Sequence, residues 1–560
     1  MRNIIIVEAV STGYNFVEDA VRRGYNPIVM EISNNNHDDI ENVRAKCYAS
    51  CYRRPEIIRS FDDYDKTYEL VKSYDPVLVL AGSEFGVVLA TRLADDLGLT
   101  CNPYSNIASM TRKDAMHEAL AKAGIRHIRG KVVSSPEEAM AFCEENELNT
   151  AVIKPLQSAG SNGLFLCDDL DEVRRAAETV VTWKDYRGRK IDSFLVQERI
   201  VGDEYIVNTV SCNGDHRLNS IMRYGKLKTP EGGYIYDYAE SISHLEPGHT
   251  ALIEYAYKVA DAIGIKYGMI HGEYMIDANG PVLIEVNCRP MGCTMSDEYL
   301  DLIYGQHESD TMLDSFLDPE GFALKKDLPY RPLRKGVLKL IMVPEDIEVE
   351  DHPIYVVARQ LKSTYKITSG RSEMPVFYKK TRDLDSAGGI IYLVHDDENV
   401  VKRDLELLRR IEKNYFSFIL SSGMSRRWFR DVTIEKPDVK KILKECNCHG
   451  ATLFAGDYVE EIEGIQCVCP DTVDNANKGF DNVIVAFQNS LLRLKESECL
   501  KLIFRTIDKV KPGGRVIIPE SSYEYLSYKK EGAELLMEIK GLEIVAPGVN
   551  LEDYVIGKAR

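Results

Sequence analysis

The chain has 560 residues, of which 44% are hydrophobic and 28% charged, and its formal net charge is −18. This length exceeds one ordinary hydrophobic core, so we expect several domains. The acidic balance argues against a general nucleic-acid binder, because such proteins usually carry a basic patch. The uninterrupted apolar runs are too short to span a bilayer, so we expect no membrane segment.

The 13 cysteines are scattered along the chain, unlike those of a disulfide-rich protein. The start MRNIIIVEAV lacks the features of an export signal, so we expect reduced thiols and a cytoplasmic protein. One group, Cys446, Cys448 and His449 followed by Cys467 and Cys469, offers zinc-binding residue types. Structural zinc sites usually use CxxC-type spacing, whereas these pairs are CxC, so we interpret them as structural cysteines.

Residues 1–105 alternate between strand-like and helix-like stretches. The segments NIIIVEA, NPIVMEI and PVLVLAG predict buried strands, and helices are predicted near YNFVEDAVRRG and residues 62–74. This alternation indicates a parallel sheet with helices on both faces. The next stretch, NIASMTRKDAMHEALAKAGI, predicts one continuous helix ended by Gly124.

From residue 131 to 300 the pattern is richer in strands, as in α+β domains. TAVIKPLQSAGSNGLFLC predicts two strands joined by a loop of small residues, and SFLVQERIVGDEYIVNTVSCNG predicts two strands with a short link. HGEYMIDANGPVLIEVNCRP predicts a hairpin with Asn279-Gly280 at its turn. Further strands, including GGIIYLVH, and a charged helix at 399–414 follow, before the basic link SSGMSRRWFRD.

The predicted hairpin collects oxygen ligands on one face. Glu273 lies on its first strand, and Glu285, Asn287 and Arg289 occupy every second position from the second strand onward. Alternate residues share a face of a strand, so antiparallel pairing would bring Glu273, Glu285 and Asn287 together. Hard divalent cations such as Mg²⁺ prefer such ligands. A solvated strand face fits poorly, because both strands are otherwise apolar and unpaired carboxylates are costly there.

Lys154 ends a predicted strand just before the small-residue loop QSAGSNG. Small residues let backbone N–H groups approach phosphate oxygens, and a lysine adds a point charge. A flexible surface hairpin would have a similar sequence. The chain lacks the patterns GxxxxGK[ST] and GxGxxG, which disfavours P-loop and simple dinucleotide-binding sites.

Taken in order, these residues resemble the ATP-grasp superfamily: Lys113, Lys154 with its loop, VQERIVGDE, Glu273 and EVNCRPMG. The resemblance covers roughly residues 1–420, and within the superfamily the chain looks most like carboxylate–amine ligases of the L-amino-acid ligase type. It implies a multidomain α/β and α+β protein. A Rossmann-like domain would occupy residues 1–105, the ATP-grasp lobes 106–330, and a lid-like part 331–422.

The resemblance also implies roles for individual residues, and the use of ATP with one or two Mg²⁺ ions, or Mn²⁺ in their place. Lysines and the loop would hold the phosphates, backbone groups of the ERI segment the adenine edge, and a glutamate the ribose. The implied nucleotide-binding residues are Lys113, Lys154, Ser158, Gly160, Ser161, Glu198, Ile200 and Glu204. The implied metal ligands are Glu273, Glu285 and Asn287.

Two further residues are implied to act on the substrates. Arg289 would grip the substrate carboxylate or stabilise the oxyanion that forms during attack. His271 lies two residues before Glu273 on the same predicted strand face and could contact substrate or metal-bound phosphate. A packed histidine is an equally good interpretation of His271.

Residues 431–560 resemble the second half of a class I methyltransferase, in FDNVIVAFQNSLLRL, a following helix and VKPGGRVIIPE. That family binds S-adenosylmethionine through a glycine-rich turn after its first strand. Here only Gly450, Gly456 and Gly464 occur in the corresponding region, widely spaced. The resemblance therefore implies a truncated, degenerate α/β domain that does not methylate and serves an interface or the substrate pocket.

The implied function is ATP-dependent ligation of a carboxylate to an amine through an acyl phosphate, with an amino acid among the substrates. Phosphoryl transfer needs positioning and charge neutralisation more than a protein nucleophile, which agrees with the lysines and metal ligands. The alternatives are a ligase or carboxylase that acts on another carboxylate, and a non-catalytic ATP-binding scaffold. We expect small-molecule carboxylate and amine partners, neither nucleic acid nor membrane, and a homodimer would be common for such folds.

Overall fold

The computed structural model divides the chain into two compact units, unit 1 (Met1–Gly336) and unit 2 (Val337–Arg560). None of the helices in the described part of the chain combines the length and apolar composition needed to cross a membrane. The structure describes residues 1–35, 40–50, 54–155, 164–182, 192–228, 234–293, 295–349, 353–368, 376–382, 386–422, 438–457, 462–487, 496–519, 522, 529–545 and 554–560.

Unit 1 begins with strands and helices in alternation, as the sequence predicts. The elements are β1 (Asn3–Val7), α1 (Asn15–Arg22), β2 (Asn26–Glu31), α2 (Ile40–Ser50), β3 (Glu56–Arg59), α3 (Tyr64–Ser73), β4 (Pro76–Ala81) and α4 (Val87–Asp96). The strands form a parallel sheet in the order β3-β2-β1-β4. Strands β1 and β4 are almost completely buried, which explains their continuous apolar sequences.

The prediction of one continuous helix over residues 106–125 is wrong, because the structure has two helices there. Two helices, α5 (Ile107–Thr111) and α6 (Lys113–Lys122), are separated by Arg112, which has an extended conformation with φ −116° and ψ 124°. The Arg112 guanidinium donates to Asp114 in the first turn of α6, where an acidic residue is favourable. The interruption makes Lys113 the first residue of α6.

A small antiparallel sheet follows. Its elements are β5 (Gly130–Val133), α7 (Pro136–Glu145), β6 (Ala151–Pro155), β7 (Phe165–Cys167), α8 (Leu170–Val180) and β8 (Phe194–Glu198). The strand order is β5-β8-β6-β7, and buried residues of α7 and α8 form one core with the sheet. Lys154 lies near the end of β6.

The third sheet of unit 1 carries the predicted hairpin. Its elements and the helices around it are β9 (Asp203–Cys212), β10 (Asp215–Lys228), β11 (Tyr234–Ser241), α9 (Pro247–Ile263), β12 (Gly268–Asp277), β13 (Gly280–Asn287), α10 (Asp297–Tyr304), α11 (Glu308–Leu317) and α12 (Pro319–Lys325). The strands run antiparallel in the order β13-β12-β9-β10-β11. The hairpin between β12 and β13 is confirmed, and Gly280 has the positive φ, 98°, that favours glycine at such turns.

Unit 2 starts with short strands and one long helix. The elements are β14 (Lys335–Leu340), β15 (Ile347–Val349), α13 (Pro353–Ala358), β16 (Thr364–Thr368), β17 (Val376–Tyr378), β18 (Ile390–His395) and α14 (Glu398–Ser422). Strands β14, β18 and β16 are neighbours in that order, and β15 pairs with β17. The charged helix predicted at 399–414 is present and extends further, whereas most of the link SSGMSRRWFRD lies outside the described residues.

The rest of unit 2 is a separate α/β sheet. Its elements are α15 (Val439–Glu445), β19 (Thr452–Gly456), β20 (Ile465–Val468), β21 (Phe480–Ala486), α16 (Glu496–Ile507), β22 (Val510–Pro519), α17 (Lys529–Ile539), β23 (Leu542–Val545) and β24 (Tyr554–Ala559). The order is β20-β19-β21-β22-β24-β23, and only β24 runs antiparallel to its neighbours.

The cysteines of this sheet form no metal-compatible cluster among the described residues. Within the part of the chain that the structure describes, the one such group lies in unit 1, where ligand atoms of Asp19, His307 and Asp310 are within 4.8 Å of one another. Asp19 already accepts a hydrogen bond from Ser309, and Asp310 is paired with Arg23. We therefore interpret this group as a link between α1 and α11. The domain boundaries within each unit stay predictions.

Tyr255 of α9 fixes the position of the hairpin. Its hydroxyl donates to the backbone oxygen of Arg126 at 2.6 Å and accepts from the backbone N–H of Leu283 on β13 at 3.0 Å. The Arg126 guanidinium in turn binds both carboxylate oxygens of Asp277, at 2.9 and 2.6 Å, beside the hairpin turn. The hairpin is therefore tied to α9 and to the chain before β5.

Replacement of Tyr255 by phenylalanine should lower the free energy of unfolding by about 1–3 kcal/mol, because the buried N–H of Leu283 and the partly buried carbonyl of Arg126 lose their partner. Tyr274→Phe is the matched control, since the buried Tyr274 hydroxyl has no hydrogen-bond partner among the described residues. Chemical denaturation of both variants measures the difference. Equal losses in the two variants would contradict this account of the hairpin.

Candidate active site

The hairpin brings the predicted metal ligands together. Glu273 lies opposite Glu285 in the register of β12 and β13, and His271 lies opposite Asn287. The Asn287 amide nitrogen is 3.5 Å from Glu285 Oε1. Two carboxylates and an amide oxygen on one half-buried strand face match the ligand preference of Mg²⁺ and Mn²⁺. Their role as metal ligands stays a prediction.

Lys113 reaches this face from the start of α6. Its Nζ is 2.7 Å from Glu285 Oε2, and both side chains are largely buried. Burial alone would lower the pKa of Lys113, but the nearby carboxylates of Glu285, Glu84 and Glu273 outweigh it, so the pKa is raised. Lys113 therefore stays charged beside the oxygen cluster.

Lys154 is the second predicted phosphate-binding lysine, and its electrostatic situation is different. Burial at the end of β6, and then the positive charge of Lys113, lower the pKa of Lys154 to about 8. Burial acts in the opposite direction on Glu285, but Lys113 and Lys154 outweigh it and lower the pKa of Glu285 to about 2. A buried lysine with a lowered pKa is stabilised in its charged form by an added anion.

Glu204, predicted to bind ribose, lies at the other side of the same sheet face. Its carboxylate forms an ion pair with Lys226 and accepts from the Tyr236 hydroxyl at 3.1 Å. Burial, with Lys226 opposing it, raises the pKa of Glu204. The ring centroids of Tyr236 and Tyr224 are 4.3 Å apart, and the Tyr224 hydroxyl is 3.5 Å from Glu273 Oε1. Polar side chains thus continue from the hairpin to β10 and β11.

The remaining predicted nucleotide-binding residues are placed only in part. The Glu198 backbone N–H donates to the Arg129 carbonyl, and the Glu198 side chain binds the Arg129 guanidinium at 2.7 Å. Ile200 is half-buried, just beyond the end of β8. Ser158, Gly160 and Ser161 lie outside the described residues.

Arg289 follows β13 and meets a residue from the first sheet of unit 1. Its Nε is 3.3 Å from Glu84 Oε2, and another of its nitrogens donates to the Pro290 carbonyl at 2.9 Å. Glu84 follows β4, at the carboxyl end of a parallel sheet, where ligand sites of α/β proteins commonly occur. The structure therefore adds an acidic residue beside the predicted substrate-binding arginine.

His271 is buried and bound to Asn208 of β9, with Nδ1 2.8 Å from Asn208 Oδ1. Its Nε2 is 3.6 Å from Glu273 Oε1. Burial is the largest influence on His271 and lowers its pKa, which favours the neutral ring. His271 is both packed and directed at the oxygen cluster, so the two interpretations of this residue are not exclusive.

Sequence reasoning assigned no individual role to several residues at this site. Tyr224 and Lys226 alternate along β10, and this period-two pattern within RYGKLKTPEGG was the available signal for a shared strand face. Glu84 directly follows a predicted buried strand, which was a weaker signal. Asn208 lies within a long buried strand, and nothing in the local sequence distinguishes it from a core residue.

Comparison with known proteins supports the superfamily. Residues 149–298 match the family described as the ATP-grasp domain. Dapdiamide A synthase of Enterobacter agglomerans is 26% identical over 353 residues, which are 62% of this chain and 81% of that protein. A phosphoribosylamine–glycine ligase of Methanothermobacter thermautotrophicus is 28% identical over 178 residues, 28% of this chain and 39% of that protein.

A similar fold occurs in a solved structure. The L-amino acid ligase from Bacillus licheniformis superposes with a TM-score of 0.55 at 17% identity, over 73% of this chain and 97% of that one. Residues 149–298 are therefore an ATP-grasp domain. These comparisons give no support to the methyltransferase resemblance of residues 431–560.

The lowered pKa of Lys154 predicts a pH dependence of nucleotide binding. Phosphate binding needs the protonated lysine, so affinity for Mg-ADP should be highest below pH 8 and fall as the pH rises above about 8. In Lys154→Arg the guanidinium stays charged, and this loss should disappear. Calorimetric titration between pH 7 and 9.5 measures both proteins. Parallel pH profiles would contradict a role for Lys154 in phosphate binding.

Proposed function

We propose that this protein joins the carboxylate of an amino acid to an amine, with conversion of ATP to ADP and phosphate. The observation that carries the proposal is the convergence of Lys113, Glu273, Glu285 and Arg289 around one face of the third sheet. A carboxylate is a poor acyl donor at neutral pH. Transfer of the terminal phosphoryl group of ATP to its oxygen gives an acyl phosphate, and attack by the amine then releases phosphate and leaves an amide.

The residues present fit ATP and a divalent metal. Lys113 and Lys154 would bind phosphate oxygens, and Glu273, Glu285 and Asn287 would hold the metal. A bound Mg²⁺ supplies neutralisation of phosphate charge, which is the main requirement of phosphoryl transfer. Glu198 and Ile200 would bind adenine and Glu204 the ribose. The pairing of Glu204 with Lys226 means that the ribose hydroxyls would share this carboxylate with a lysine.

The ion pair of Arg289 and Glu84 supports an amino acid as the acid substrate. An α-amino acid carries a carboxylate that suits Arg289 and an ammonium group that suits Glu84, so one zwitterion satisfies both charges. A simple carboxylate would replace only one half of the ion pair. The names of two similar proteins, a dapdiamide A synthase and an L-amino acid ligase, point in the same direction.

We also propose that residues 431–560 are a truncated methyltransferase-like domain that does not methylate. The support is the topology of β19–β24, parallel except for one antiparallel strand inserted before the edge, together with the wide spacing of its glycines. Calorimetric titration of the full-length chain with S-adenosylmethionine tests this part of the proposal. Tight binding would contradict it.

The direct assay is ADP release from Mg-ATP with amino acids offered singly and in pairs. Release should occur with particular pairs, with equimolar amide formation. Arg289→Ala and Glu285→Ala should reduce the rate by roughly 10²-fold or more, because each removes a fixed charge at the reacting groups. Arg223→Ala is the matched control, since Arg223 of β10 is paired with Glu240 at 2.9 Å. Its rate should stay near that of the parent protein.

The other outcomes separate the alternatives. ADP release with a carboxylate that is not an amino acid, or with bicarbonate, would favour the related ligase or carboxylase hypothesis. Tight ATP binding without release for any pair would favour the scaffold hypothesis. Equal loss in Arg289→Ala and Arg223→Ala would indicate a general effect of removing an arginine.

A further inference from the structure

Glu308 is a buried carboxylate that the proposed chemistry does not yet use. It is the first residue of α11 and is only 1% exposed. Its Oε1 accepts from the Asn208 side-chain nitrogen at 2.6 Å, and its Oε2 accepts from the backbone N–H of Met291 at 2.9 Å. Burial of a carboxylate is costly unless its oxygens are hydrogen-bonded, so both contacts matter.

The contact with Met291 restrains the segment that carries Arg289. Met291 lies two residues beyond Arg289 and is itself buried. Further along, the Thr12 hydroxyl donates to the Gly292 carbonyl at 3.2 Å and accepts from the Met295 N–H at 2.9 Å. Among the described residues, Glu308 is the side chain that binds the backbone beyond Arg289 at the position nearest to it.

The contact with Asn208 restrains His271. The Asn208 nitrogen donates to Glu308 and to Ser220 Oγ, at 2.6 and 2.9 Å, and an ionised carboxylate can only accept. Asn208 must therefore turn its oxygen toward His271 Nδ1, which carries the hydrogen of that 2.8 Å contact. The other ring nitrogen, Nε2, is then an acceptor on the side of Glu273.

We propose that Glu308 is a positioning residue that fixes the Arg289 segment and the His271 tautomer together. One carboxylate oxygen acts on each, so the Arg289 segment keeps its position beside Glu84 and the His271 ring keeps its orientation toward Glu273. The inference rests on the proposed ligase function, because orientation matters only if these groups act on substrates. Glu308 touches no reacting atom and acts through Met291 and Asn208.

A purely structural role is the competing explanation. An acidic residue at the start of α11 is favourable with the helix dipole, and a buried hydrogen-bonded carboxylate stabilises its surroundings. Such a role predicts a loss of folding stability, but no change in the kcat of the folded protein or in the His271 tautomer. The kcat and the tautomer therefore distinguish the two explanations.

The test exchanges the donor and the acceptor in the hydrogen bond between Glu308 and Asn208. Glu308→Gln keeps the shape of the side chain but leaves one oxygen for two donors, the Asn208 side-chain nitrogen and the Met291 N–H. Asn208→Asp alone places a second carboxylate against that of Glu308. In the double variant the new glutamine accepts from Met291 and donates to the new aspartate, which accepts from His271. Each single variant should lower kcat about tenfold or more, because misplaced groups lose transition-state contacts, and the double variant should recover to within about threefold.

The assays are run at pH 8.5, because burial raises the pKa of Glu308 to about 7 and the parent carboxylate is then ionised. KM for ATP should change little in all variants, since Glu308 contacts none of the predicted nucleotide-binding residues. Asp404→Asn is the matched control. Asp404 is a buried carboxylate that accepts from the backbone N–H and hydroxyl of Ser363, at 3.0 and 2.8 Å. This control should keep the parent kcat.

The His271 tautomer supplies a readout that does not depend on ligation. Nitrogen-15 spectra of histidine-labelled full-length protein, assigned with His271→Asn, should show hydrogen on Nδ1 in the parent, its loss in Glu308→Gln and its return in the double variant. If no acid–amine pair supports ADP release, the proposed function fails while this readout still tests the positioning. An unchanged tautomer, an unchanged kcat in Glu308→Gln, or no recovery in the double variant would overturn the proposal.

Discussion

The ion pair between Lys113 and Glu285 connects parts of unit 1 that are far apart in sequence, and much of the site depends on it. Carboxylates on adjacent strands repel each other, and Glu273 and Glu285 are directly opposite. A buried cation 2.7 Å from Glu285 makes this pairing tolerable. The extended conformation of Arg112 lets α6 begin at Lys113, so this cation lies at the start of a helix.

The same charge balance leaves Lys154 as the group most sensitive to an added anion. Lys113 is neutralised by carboxylates, whereas Lys154 is buried beside another cation, and its pKa falls to about 8. Phosphate groups bound here would relieve that repulsion. The electrostatics of the protein alone are therefore complementary to a polyphosphate, which is the substrate feature that ATP-grasp domains share.

The second half of the site is built where three distant segments meet. Arg289 follows β13, Glu84 follows β4, and Glu308 starts α11. Glu84 contacts the Arg289 side chain, and Glu308 binds the backbone N–H of Met291 in the same segment. Parallel strands of the first sheet contribute through the loops at their carboxyl ends, and the antiparallel third sheet contributes side chains from its face. The reacting groups of acid and amine would lie between these two sources.

These contrasts show what the sequence could and could not predict. The hairpin, its turn and the shared face of Glu273, Glu285 and Asn287 follow from local periodicity and an Asn-Gly turn, so they were predictable. The break at Arg112 and the pairing of Glu204 with Lys226 depend on tertiary contacts, and periodicity carries no information on them. Asn208 and Glu308 are the extreme case, because they are separated by 100 positions and join only through the packing of α11 on β9.

The central claim is that a substrate carboxylate is activated by phosphoryl transfer before the amine attacks. The most direct test uses an amino acid labelled with oxygen-18 in its carboxylate, with Mg-ATP and the amine that supports ADP release. The account predicts that one labelled oxygen appears in each phosphate released, because the acyl phosphate breaks between carbon and the bridging oxygen. Unlabelled phosphate accompanied by amide product would contradict the acyl-phosphate route.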